Sequence, residues 1–77
     1  MNHYLLIYGR REGRLLDQEE FSDGRAALRG RFAAEARYAD DPDVEVVVLG
    51  SRSLEGLKKT HARYFASVQD IAASALR

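Results

Sequence analysis

Seventy-seven residues without a cysteine, carrying twelve basic and twelve acidic side chains, make one small domain that must hold together without disulfides or thiolate metal sites. The missing basic excess argues against a nucleic-acid module, whose affinity comes mostly from neutralising phosphates. No apolar run comes near the roughly 20 residues of a membrane span, and two histidines, His3 and His61, are too few for a histidine-built zinc site.

A chain this short buries only about 60% of its unfolded surface, so self-association is the obvious source of further burial. The opening MNHYLLIYGRR does not read as a signal peptide, because its apolar stretch is short and no basic segment precedes it. A cytoplasmic protein is the expectation, with no cofactor and no metal. Ten Arg against two Lys, with eleven Ala, is the composition of a GC-rich bacterial gene.

Tyr4, Leu5, Leu6, Ile7 and Tyr8 are strand formers, apolar on both faces, and predict a central strand. Gly9, Arg10, Arg11, Glu12 and Gly13 form a turn bounded by glycines. The more polar run from Arg14 through Phe21 completes a hairpin and suits a sheet edge. Ser22 or Asp23 can cap a helix running to about Tyr38, with Leu28, Phe32, Ala36 and Ala39 as its apolar stripe. Asp40, Asp41, Pro42 and Asp43 end it, since a proline disfavours helix in the residue before it. Val44, Glu45, Val46, Val47, Val48 and Leu49 read as a third strand. Gly50, Ser51, Arg52 and Ser53 then turn the chain into a last helix.

That last helix carries Leu54, Leu57, His61, Tyr64, Val68, Ile71 and Ala75 at alternating steps of three and four. Unbroken from Ser53 to the end, it would be about 36 Å long, against about 23 Å for a seven-residue strand. Either it overhangs the fold, or it breaks near Ser67, where residues 67–70 resemble a capping box. The expected fold is α+β with the order ββαβα. Its mainly antiparallel sheet is ordered 2-1-3, with two helices on one face. The expected core is Leu6, Ile7, Leu28, Phe32, Val46, Val48, Leu57 and Tyr64.

With both helices on one face, Tyr4, Leu6, Tyr8, Val47 and Leu49 would be left open on the other. A patch of that kind marks an interface. Tyr64, Val68, Ile71 and Ala75 offer a second candidate interface on the overhanging helix. Either predicts a homodimer or a protein partner. The turn of Gly50, Ser51, Arg52 and Ser53 precedes a helix N-terminus, where an anion could sit, although plain serine capping explains the same residues. Tyrosines on an open sheet resemble the stacking platforms of RNA modules, but the basic rim is missing. Arg10, Arg11 and Arg14 share one end of the fold with Asp40, Asp41 and Asp43 and should offset them. The aspartates lack the spacing of a calcium loop. His61 and Tyr64 share a helix face without any identifiable nucleophile, so no catalytic residue is assigned. The sequence therefore reads as a non-enzymatic protein acting through self-association or protein contacts. The alternative is a small-ligand, anion or nucleic-acid-binding module.

Overall fold

Side chains along a strand alternate between its two faces, and the first strand of this chain is apolar on both. The fold covers both. In the computed structural model, which describes residues 1–65, β1 (Asn2–Gly9) and β2 (Arg14–Phe21) form a hairpin. Then follow α1 (Gly24–Arg37), β3 (Val44–Ser51), α2 (Leu54–Thr60) and a 3₁₀ turn at Ala62–Tyr64. The sheet order is β2-β1-β3 with antiparallel neighbours, as the sequence predicts. Gly13 closes the hairpin at φ 67°, a left-handed conformation that suits glycine, and its N–H donates to the Gly9 carbonyl at 2.8 Å.

The two helices lie on opposite faces, not on one. Against the face of Leu5 and Ile7 sits α1, capped by Asp23, whose carboxylate accepts from the Arg25 N–H at 3.0 Å. Against the face of Tyr4, Leu6 and Tyr8 sit α2 and the 3₁₀ turn, so that Tyr4, Leu6, Leu57 and Tyr64 make one buried cluster. Val47, Leu49 and Leu15 complete it. The surface expected to be an open interface is thus an internal layer. A strand with two apolar faces is what a sheet covered on both sides requires.

A second correction concerns α1. Leu28 and Phe32, expected in the core, are 46% and 60% exposed, and the buried residues are Ala27 and Ala34. Gly30 lies between them on the same stripe. A β-carbon there would stand 3.0 Å from Phe21 Cζ and 3.3 Å from Leu5 Cδ2. The helix therefore packs through its smallest residues, and the sheet supplies the bulk. Val46 and Val48, paired with Ile7 and Leu5, face α1 but are only half-buried.

The third correction is the last helix, which stops at Thr60. His61 leaves the helical region at φ −128°, ψ 47°. The Thr60 hydroxyl lies within hydrogen-bonding reach of the Gly56 (3.1 Å) and Leu57 (3.3 Å) carbonyls, a side-chain competition that weakens helices. The chain then turns so that Tyr64 falls back onto the sheet. The overhanging stripe is therefore not continuous through His61. Val68, Ile71, Ala75 and the expected break at Ser67 lie outside the described residues.

Candidate functional site

The two edges of the sheet are built differently. β2 exposes Asp17, Gln18, Glu19 and Glu20 and carries a bulge at Leu16, where pairing jumps from Ile7 with Asp17 to Tyr8 with Leu15. Charge and bulges are the ordinary means by which an edge repels further strands. β3 has neither. It pairs with β1 in unbroken register from Val44 to Ser51, and five of its eight residues are Val or Leu. All five are half-buried. Its single charge, Glu45, is turned inward and engaged.

Beside this edge lies the exposed flank of α1. Arg31, Glu35 and Tyr38 line an open groove of about 400 Å³ together with Val44 and Val46, so this flank of the helix looks toward β3. At about 100° per residue, Leu28 and Phe32 follow Arg31 and Glu35 round the same flank and away from the sheet. The edge strand and the groove adjoin, while Leu28 and Phe32 are exposed on the part of α1 turned away from the sheet.

Glu45 closes the end of this surface. Its carboxylate, 16% exposed, accepts from Arg63 Nη2 at 2.9 Å and from Arg10 Nη2 and Nε at 3.2 and 3.3 Å. The Tyr64 hydroxyl donates to the same carboxylate through a short hydrogen bond. Arg63 also lies 4.1 Å from the Tyr64 ring centroid, and Tyr8 meets Tyr64 edge to face at 5.5 Å. Donation from Tyr64, with the two guanidiniums beside it, holds the Glu45 carboxyl below its ordinary range, against the opposing effect of its partial burial. Burial and the hydrogen bond to the carboxylate push the Tyr64 hydroxyl up. A carboxylate accepting from three donor side chains is a clasp between β3, the hairpin loop and the 3₁₀ turn. It is poorly placed to act as a free base.

The expected site residues fall as follows. Tyr4, Leu6 and Tyr64 are buried within the chain, and Tyr8 is half-buried against Tyr64. Gly50 and Ser51 end β3, and Arg52 is exposed. Ser53 Oγ accepts from the Gly56 N–H at 3.0 Å, and Ser51 Oγ donates to the Ser53 carbonyl at 2.9 Å, so both serines are engaged in capping the turn. His61 is half-buried, with Nδ1 2.9 Å from Thr60 Oγ1. Arg11 pairs with Asp43 at 2.7 Å and Asp41 at 3.8 Å, which joins the arginine and aspartate loops as expected. Arg10 goes to Glu45 and the Pro42 carbonyl (3.1 Å) instead. The sequence reading missed Glu45 and Arg63. The available signal was a lone acid inside a valine run, which a strand keeps only where cations meet it. Among the described residues no group of three or more His, Asp or Glu is placed to hold a metal, and no helix is long and apolar enough to cross a membrane. Compared with models of protein families, with curated proteins and with solved structures, the chain matches none.

Proposed function

We propose that this chain is a non-enzymatic interaction module of the cytoplasm that binds protein by accepting a strand along β3. The observation that carries this reading is the contrast between the edges. β2 is charged and bulged, whereas β3, of the same length, is mostly apolar and regular. An unguarded edge presents a row of N–H and C=O groups that a partner strand can complete, with side-chain pockets on either side adding selectivity. The engagement of Glu45 by three side chains supports a structural role for the most densely hydrogen-bonded carboxylate.

The test is amide hydrogen exchange read by NMR on a dilute sample, at about 10 µM. In an antiparallel edge strand alternate N–H groups point away from the sheet. The expected result is that the outward amides of β3 exchange freely while its inward ones are protected. Protection of both sets in a dilute monomer would mean that the edge is already covered by the chain itself, and would end this reading.

A further inference from the structure

We infer that the outward face of α1 docks on an anionic lipid surface, Phe32 and Leu28 entering the headgroup layer while Arg25 and Arg29 meet phosphates. The helix is packed inside out. Ala27, Gly30 and Ala34 rest on the sheet, and the two large apolar residues are turned to water. Among the described residues, Met1 is the one other large apolar side chain so exposed. At about 100° per residue, Phe32 and Arg25 stand almost opposite the buried stripe, with Leu28 about 50° to one side and Arg29 about 50° to the other. Arg31 lies beyond Leu28. The apolar pair thus runs between arginines.

Charge selects an anionic occupant. α1 carries four arginines and one glutamate in a chain whose charges balance overall. That glutamate, Glu35, is down the flank and paired with Arg31 Nε at 2.7 Å. Among the described residues Arg25 and Arg29 have no acidic side-chain partner, Asp23 being turned to the Arg25 N–H as cap. Asp17 and Glu19, on the same side of the sheet, stand at its level, about 10 Å below this face and near the screening length of physiological salt. Shape then selects among anionic partners. The face is a convex ridge, with grooves only at its foot, beside Val46 on one side and Leu5 on the other. A protein would have to bring a groove of its own. A bilayer interface yields to a ridge, and offers phosphate to guanidinium and hydrocarbon to Phe32 within one layer. No helix among the described residues can cross a membrane, so the contact is with one leaflet. The β3 edge lies to the side of this face and stays open, and neither reading depends on the other.

The chain has no tryptophan, so Phe32→Trp places a single fluorescent reporter on the face. The position is exposed, so the variant should fold, and circular dichroism checks that it does. The probes are vesicles of phosphatidylcholine alone and of equal parts phosphatidylcholine and phosphatidylglycerol. The expected result on the mixed vesicles is a blue-shifted indole protected from aqueous quencher, with binding weakened by salt. Phosphatidylcholine alone should leave it unchanged. In the same reporter, Arg25→Gln and Arg29→Gln should each weaken binding roughly fivefold, the worth of one cation at an anionic surface. Leu28→Ser should weaken it roughly tenfold. An indole that stays quenchable on the mixed vesicles overturns the proposal. Equal shifts on neutral and anionic vesicles, or binding indifferent to both arginine substitutions, overturn it too, because charge then selects nothing. A shift with a single-stranded oligonucleotide or with polyglutamate, and none with vesicles, overturns the lipid and gives the face to a nucleic acid or an acidic protein.

Discussion

Exposure separates two residues that the sequence made look alike. Leu57 is fully buried against Tyr4, Leu6 and Tyr64, whereas Phe32 is 60% exposed. Leu57→Ala should therefore lower unfolding stability by about 2–5 kcal/mol. Phe32→Ala should stay within about 1 kcal/mol when urea melts are run dilute enough to keep the chain monomeric. Glu45 and Tyr64 bound the stability at opposite ends of the pH range. The Glu45 carboxyl titrates lower in the folded chain than in the unfolded one, so its contribution is whole above about pH 4.3. It fades as the pH falls through the lower, folded value. Tyr64 titrates higher when folded, so its contribution is whole below about pH 10 and is lost as the pH rises through its folded value. Urea melts from pH 7 down to pH 3 should show Glu45→Gln losing less stability than the parent chain over that acid limb. Equal slopes would show that the clasp does not depend on the ionised carboxylate. Little of this was legible beforehand, because the partners of Glu45 lie 18, 19 and 35 residues away along the chain.

Strands proved easier to read than helices. Alternation and β-branched runs located all three strands and their order, since pairing leaves a local mark on the sequence. The buried face of α1 is hidden from a sequence reading because the largest apolar residues of the helix, Leu28 and Phe32, are exposed and its buried residues are alanines. Here the sheet provides Leu5, Ile7 and Phe21, and the helix must supply room. That makes Gly30 a packing residue. Gly30→Val should cost about 1–3 kcal/mol by urea denaturation, overpacking outweighing any relief of glycine's poor helix propensity. Ala33→Val, on the same helix but exposed, is the control and should lie within about 0.5 kcal/mol. The end of α2 at Thr60 was hidden by a periodicity that continues past it. Leu57 and Tyr64 do share a buried cluster, but a change of backbone at His61 brings them there.

On the scale of the whole molecule, one strand is shared by two packed layers. β1 hydrogen-bonds on both sides and contributes Tyr4, Leu5, Leu6 and Ile7 to the interior, so its amides should be the last to exchange in native-state hydrogen exchange. Amides of β2 should exchange well before them, and a uniform rate across the sheet would contradict this layered picture. The same sharing removes a safeguard that ordinary sheets possess. Where one face is wet, a one-residue slip carries apolar side chains into water and is punished at once. Slipping β1 here would merely exchange Tyr4, Leu6 and Tyr8 for Leu5 and Ile7, and each set would still find a cover. Burial alone leaves the alternatives nearly degenerate. What distinguishes them are polar fixtures at one end of the strands, namely the bulge at Leu16, the Arg10 N–H on the Asp43 carbonyl at 2.8 Å, and Glu45 among its three donors. The clasp thus confers uniqueness as well as stability: with Glu45→Ala, a second set of amide resonances from misaligned β1 should accompany the native spectrum.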